Sequence, residues 1–453
     1  METENSNQEK WYRTMTAKMA ILAFMGLLLL IPVQMVKSVI KERAGYAEAA
    51  RLEIGKLWAT SQTITGPVLN VPISKVVTDK GDKVSTTLHI LPENLDISGK
   101  IVPQVRHRGI YETVVYDSEV TLAGDFNTET YENTGGYTID WNHAYFTLGI
   151  SDNKGLKDDI VLDIDGKRVT AEPGAMCNDI SENGISFPVA LVPCGSNGYK
   201  GKFNLKMGLR GSENLSFSPV GKTTRVNLSS NWASPSFQGN FLPVESGVTS
   251  SGFDSKWIVT HLNRSFPQIW TGNQYVPEKD AFGVNLMLEV DHYKKAERSA
   301  KYGLLFILFT FFVLMVVELR SSEKIHIFYY LLVSFALILF FSLLSALSEQ
   351  IGFNAAYLLS SVAIIGLLSA FFRSLLKKWH LVLLVSGLLT TLYLFIFVLL
   401  AMKDYAYLGG NIGLFVLLAV LMMLSARYNL FTERTRGEDN STANSSEKAS
   451  LSE

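Results

Sequence analysis

Two carboxylates and four polar neighbours are the residues of this chain best placed to handle a charge. Glu349 closes a long apolar run, with Asn354 and Tyr357 just beyond it, and Asp404, Tyr405 and Asn411 occupy a later turn between two apolar runs. Ser342, Ser345 and Glu349 recur at i, i+3 and i+7, which sets them on one helical face. A carboxylate inside a bilayer is costly and marks function when it is buried there, but the cost fades at the boundary. The cluster therefore reads either as a polar rim that docks another domain or takes a cation, or as solvated loop charge. Trp232, Trp257 and Trp270 lie among Asn and Gln in stretches such as "SSNWASPSFQGNFLP" and "NRSFPQIWTGNQY", the composition of an aromatic surface that stacks on sugar. The plainer reading puts these rings in a β core. Cys177 and Cys194 flank "NDISENGISFPVALVP", whose ENG turn can bring two strands together, and so form a candidate disulfide, with two buried thiols as the alternative. A loop that short is stabilised by about 3 kcal/mol in the chain-entropy picture. The sequence contains no nucleophile elbow, no Cys/His metal spacing, no phosphate-cradling glycine loop and no dinucleotide fingerprint, so neither a catalytic residue, a metal nor a cofactor is expected.

The elements that must hold these residues come from two solvents. With 47% hydrophobic residues, 18% charged residues and a net charge of −1, the averages are ordinary and give no pull toward nucleic acid. Residues 37–301 are polar, whereas 302–426 are almost unbroken Leu, Phe, Ile, Val and Ala. Six apolar runs approach or reach bilayer length: 19–36, 302–317, 327–347, 355–372, 381–401 and 407–425. The second and sixth are weakest, being short or opening with "GGNIG". Eleven Lys and Arg residues flank alternate ends of these runs, among them Lys10, Lys18, Arg320, Lys324, Arg373, Lys378 and Arg427, while the other two short turns hold only Lys403. That bias predicts six spans with both termini cytoplasmic. The first run exceeds a signal-peptide core and meets Lys37 and Lys41 before any small-x-small site, so it reads as an uncleaved anchor.

Between the first two runs the pattern changes twice. Residues 37–58 carry helix formers with apolar positions near a 3.6 period, a helical stalk that Gly66 and Pro67 are expected to stop. Beyond it, "KVSTTLHIL", "YETVVYDSEVTL", "YFTLGI", "DIVLDI", "ISFPVALVP", "KFNLKMGL", "TTRVNLSS" and "VNLMLEVDHY" alternate between turn signals. "LAGDF" and "FQGNF" hint at a duplication. The expected fold is a membrane α-helical bundle of six spans plus a large all-β extracytoplasmic domain of one or two β-sandwiches. Its parts are a cytoplasmic tail (1–18), the first span (19–36), the stalk (37–58), the periplasmic β domain (59–301), five further helices (302–426) and a disordered tail (427–453).

The chain contains the long ordered blocks "WATSQTITGPVLNVPI", "LPENLDISGKIVPQVRHRGIYETVVYDSEVTLAGDF", "LSFSPVGKTTRVNLSSNWASPSFQGNFLP", "SGFDSKWIVTHLNRSFPQIW" and "LLSALSEQIGFNAAY". Together these blocks resemble the CreD family of inner-membrane proteins. The resemblance covers nearly the whole chain except its polar C-terminal tail. It implies a bacterial inner-membrane protein with a role in envelope integrity, stress response or colicin tolerance, linked to the Cre two-component regulon, and it supplies no active site. The resulting expectation is a non-enzymatic envelope factor whose partners are the lipid bilayer and an envelope protein or glycan. A transporter or lipid-handling protein, and a glycan-binding module on an anchor, are the alternatives. Oligomeric state is not legible.

Overall fold

The computed structural model describes residues 15–76, 83–128, 136–192, 198–286, 288, 292–320, 325–376, 378–402 and 406–427. Of the two expected tails, 1–18 and 427–453, residues 1–14 and 428–453 fall outside these residues, whereas 15–18 open α1 (Met15–Leu28) and Arg427 closes α8 (Ala406–Arg427). The chain divides into a helical unit, Met1–Ile40 with His292–Glu453, and a strand-rich unit, Lys41–Asp291.

α1 (Met15–Leu28) and α2 (Leu30–Trp58) form one helix interrupted at Leu29; α1 and the start of α2, to Ile40, belong to the helical unit and the remainder of α2 to the strand-rich unit. Pro32 has no amide to return to the Leu28 carbonyl, which breaks the ladder there. Leu29 N–H to Met25 O at 2.9 Å and Val33 N–H to Leu29 O at 3.3 Å carry the chain across the joint. After the strands come α3 (His292–Lys301), α4 (Gly303–Arg320), α5 (Ile327–Ile351), α6 (Phe353–Leu375), α7 (Trp379–Ala401) and α8 (Ala406–Arg427). Among the described residues four helices are long and apolar enough to cross a membrane, Ala17–Trp58, α5, α6 and α7, and a fifth follows if α3 and α4, bent by 41°, are one broken span. The difference from the six runs of the sequence lies at the two weakest, 302–317 and 407–425. The latter is α8, many of whose side chains lie outside the described residues.

The helical unit begins at His292, ahead of the 301 boundary that polarity suggests. α3 buries Ala296, Ser299 and Ala300 and turns Lys294, Arg298 and Lys301 outward, so a charged helix joins an apolar unit through one small-residue face. Within the unit, Phe306, Phe340 and Tyr393 meet at ring distances of 4.7–6.2 Å. The opposite helix faces leave Phe335, Leu339, Leu358 and Leu394 at least half exposed. In water such a surface is unfavourable by roughly 25 cal/mol per Å²; against lipid it costs nothing.

One charged cluster ties the start of α1 to the end of α4. The Lys18 ammonium donates to both oxygens of Glu318 and, at 2.7 Å, to the Ile325 carbonyl. The Tyr330 hydroxyl donates to Glu318 at 3.1 Å, and the ammonium lies 5.3 Å from the Tyr330 ring centre. α1 and α4 therefore run antiparallel.

The strand-rich unit contains, among the described residues, β1 (Gln62–Val76), β2 (Lys83–Ile90), β3 (Asn94–Arg108), β4 (Tyr111–Thr128), β5 (Thr138–Ile139), β6 (Tyr145–Ile150), β7 (Val161–Ile164), β8 (Lys167–Thr170), β9 (Glu172–Pro173), β10 (Gly184–Pro188), β11 (Tyr199–Ser212), β12 (Asn214–Phe217), β13 (Thr223–Ser230), β14 (Pro235–Gly239), β15 (Glu245–Thr249), β16 (Gly252–Thr260), β17 (Ile269–Thr271) and β18 (Phe282–Leu286). One sheet runs β14-β18-β12-β1-β6-β10-β9, with β2 and β5 also paired to β1 and β17 paired to β2, and the other runs β15-β16-β13-β3-β4-β11-β7-β8. Both are mixed: β1 pairs β12 and β3 pairs β13 in parallel. Their buried side chains form one core, which joins Val68, Leu88 and Phe146 of the first sheet to Ile97, Val120 and Leu205 of the second.

Two expectations change here. The stalk helix ends at Trp58, and Gly66–Pro67 lies inside β1, where the pairing with β6 shifts register between Thr65 and Val68. A proline cannot donate to a ladder but is accommodated at a bulge. Gly66 has φ +131°, and a Cβ there would sit 2.7 Å from the Thr147 carbonyl. "LAGDF" lies in β4 at the centre of one sheet, whereas "FQGNF" ends β14 at the edge of the other, so the shared G-x-F marks no repeat.

The Lys18–Glu318 pair yields a double-mutant test. Removing one partner strands a poorly solvated charge, so Lys18→Met or Glu318→Met alone is expected to cost about 3 kcal/mol, while the double substitution recovers most of that loss. Unfolding of the detergent-solubilised chain measures it; additive losses would show that the pair does not couple the two helices.

Candidate functional site

The rim residues do not gather as their spacing suggests. Glu349, near the end of α5, accepts a hydrogen bond from the Tyr293 hydroxyl of α3 at 3.0 Å, a partner no sequence pattern indicates. Tyr357 is buried on α6 and its hydroxyl donates to the Tyr393 carbonyl at 2.9 Å, so it faces the bundle interior and not the rim. Asn354 and Asn411 are exposed on α6 and α8, and Ser345 is buried while Ser342 is exposed. Asp404 and Tyr405 lie outside the described residues. Among those residues, no group of three or more His, Cys, Asp and Glu is arranged to hold a metal.

The aromatic set is corrected by burial. Trp257 is 0% exposed and its indole N–H donates to the Phe241 carbonyl at 3.2 Å; Trp270 is 5% exposed. Trp232 is half-buried against the same core. Rings this large bring more apolar area into a two-sheet core than any other side chain, and that gain outweighs display at a surface. The three do not form a stacking surface. As for the cysteine pair, Cys194 lies outside the described residues. Burial pushes the Cys177 thiol above its usual range, against opposing hydrogen bonds with Tyr145 and the Asp179 amide.

The structure instead assembles a polar chain that the sequence does not announce. His89 on β2 is wholly buried, with Nδ1 2.6 Å from Asn70 Oδ1 and Nε2 3.2 Å from Asp179 Oδ2. Asn70 on β1 donates to the Val68 carbonyl and to Thr147 Oγ1 at 3.2 and 2.8 Å, and Thr147 on β6 donates to the Ala175 carbonyl at 3.3 Å. The Trp270 ring covers the imidazole at 5.3 Å. Each member satisfies its neighbour, as polar groups in a core must, and together they fasten the segment around 175–179 to β1, β2 and β6. No substrate reaches a wholly buried imidazole, so its role is attachment. Burial lowers the proton affinity of His89, and Asp179 opposes it.

The solvent face of the second sheet offers access. Across five neighbouring strand pairs, Lys206, Thr121, Ser98, Asn227, Lys256 and Glu245 stand in register on β11, β4, β3, β13, β16 and β15. Short hydroxyl and amide groups at the centre and long charged groups at the flanks leave a trough of about 790 Å³. Its cations and anions are partly paired, Lys206 with Glu119 at 3.3 Å and Lys256 with Glu245 at 3.6 Å.

The comparisons with known proteins bear on the whole chain. The family profile of inner membrane protein CreD matches residues 14–431. The chain belongs to the CreD family. Inner membrane protein CreD of Escherichia coli (strain K12) is 30% identical over 419 residues, covering 90% of this chain and 92% of that protein. Among solved structures, an M1 zinc metallopeptidase mutant from Deinococcus radiodurans bound to a Tyr-Ser-Ala substrate is 12% identical over 38% of this chain and 39% of its own, with a TM-score of 0.19. A two-domain M1 zinc metallopeptidase mutant bound to L-arginine is 11% identical over 43% and 42%, with a TM-score of 0.20. Likenesses of that size carry no argument about the CreD-family fold or its chemistry.

A pH dependence follows from the buried histidine. Because His89 binds a proton less readily folded than unfolded, its contribution to stability is complete above the free-imidazole value of 6.5 and is lost as pH falls below it. The thermal midpoint of the detergent-solubilised chain is expected to fall on acidification below about pH 6.5, and Asp179→Asn, which removes the opposing charge, to deepen the fall. A midpoint drop unchanged by Asp179→Asn would contradict this assignment.

Proposed function

We propose that this CreD-family chain is a multi-pass inner-membrane protein of six spans with both termini in the cytoplasm, and that it supports cell-envelope integrity without catalysis. On this reading the strand-rich unit is periplasmic and meets an envelope partner, while the helices anchor it. The observation that carries the proposal is the family match over almost the full length, helices and strands together. The Lys and Arg bias of the short turns supports the orientation, since cationic side chains resist translocation. Lys18 beside Glu318 is consistent with it, because it sets the N-terminal end of α1 and the C-terminal end of α4 at one face of the bundle. The trough on the second sheet supports a polar partner, held by hydrogen bonds and charge more than by apolar burial.

Transport or lipid handling past Glu349 is less well supported, because the Tyr293 hydroxyl already engages that carboxylate. The two readings separate by complementation. Glu349→Gln combined with Asp404→Asn is expected to leave an envelope-stress assay near wild-type level. Complete loss of complementation at normal membrane abundance would favour a translocation path and refute the proposal.

A further inference from the structure

The last turns of α2 and the tip of the β3–β4 hairpin enclose a pocket that combines cationic and apolar walls. It has a volume of about 410 Å³ and is lined by Ile54, Leu57, Trp58, Arg106, His107 and Arg108. The hairpin exists because β3 and β4 pair in unbroken register from Asn94↔Asp125 to Arg108↔Tyr111, and Gly109 at φ +61° closes the turn. Trp58 is half-buried and oriented by its indole N–H, which donates to the Tyr116 carbonyl at 3.4 Å. The guanidinium groups of Arg106 and Arg210 lie 5.1 and 4.7 Å from its ring centre.

Charge accounting singles out Arg106. Arg108 pairs with Glu53 at 2.7 Å, His107 with Glu112 at 3.4 Å and Arg210 with Asp117 at 3.4 Å. Among the described residues Arg106 has no carboxylate within ion-pair distance; its hydrogen bond goes to the neutral Gln104 Oε1 at 3.2 Å. A guanidinium stacked on an aromatic ring keeps its in-plane N–H edge for a planar or tetrahedral oxyanion, and stacking limits the side-chain freedom lost on binding. Beside this cation stands an apolar wall, with Leu57 78% exposed at the helix end. A metal cation meets net positive charge here, and a small polar ligand leaves Leu57 in water.

We propose that this pocket binds an anionic amphiphile, with a phosphate or carboxylate head on the edge of Arg106 and an apolar chain along Ile54 and Leu57. The inference is independent of which side of the membrane the unit occupies.

The test uses the purified full chain in neutral-lipid nanodiscs, titrated calorimetrically with inorganic phosphate and with hexyl phosphate. Hexyl phosphate is expected to bind at least tenfold more tightly than inorganic phosphate. Arg106→Gln is expected to weaken hexyl phosphate at least tenfold, and Leu57→Asn to erase its advantage while leaving phosphate binding as it is. Both positions are exposed, and an unchanged thermal midpoint reports an intact fold; should Arg106→Gln shift it, Arg106→Lys replaces that variant, retaining charge but losing the fork, and is expected to give an intermediate affinity. No heat from either probe, equal affinity for both, or hexyl phosphate binding that survives loss of the Arg106 guanidinium would each overturn the proposal. Equal affinity would leave a simple anion site with no role for the apolar wall.

Discussion

Inside a bilayer a backbone amide has no water to turn to, and this constraint sorts the chain into its two units. Helices satisfy their own amides, so the apolar stretches become α1, α5, α6 and α7, with large side chains such as Leu358 left facing outward. Strands must borrow partners from other strands, and the polar middle of the chain provides them in two mixed sheets. Charges are tolerated in the helical unit where they are answered. Lys18 is met by Glu318, Tyr330 and the Ile325 carbonyl at once, which turns a costly pair into a registration point between α1, α4 and α5.

The strand-rich unit obeys the complementary rule. Its core takes in large rings such as Trp257 and Phe146, and beside them four polar side chains form one connected set. His89, Asn70, Thr147 and Asp179 pass hydrogen bonds from one to the next and hold an irregular segment against the regular sheet. What remains for recognition is outside that core: a polar trough on one sheet and a cationic, apolar pocket where α2 meets a hairpin.

Much of this was legible in the residues. Strands such as 223–230 follow from simple alternation, and the segregation of apolar runs locates the helical unit. β3 was harder to read, because Gly99, Lys100 and Pro103 interrupt the apolar rhythm of a strand that only pairing on both sides makes regular. The boundary at His292 is hidden from polarity because α3 is charged, and its membership depends on three small buried residues. Site residues were the least legible. Tyr357 faces inward because its hydroxyl finds a carbonyl on α7, and Glu349 pairs with Tyr293, far away in sequence. Such pairings depend on tertiary distance, which spacing along one helix does not encode.

In the proposed topology, cationic turns hold one face of the helices in the cytoplasm and leave the strand-rich unit on the other side. Single cysteines placed by Lys222→Cys and by Ser322→Cys, in a chain carrying Cys177→Ser and Cys194→Ser, test it in intact cells with a membrane-impermeant maleimide. The account predicts labelling at 222 and protection at 322 until the cells are permeabilised. Protection at 222 with labelling at 322 would contradict it.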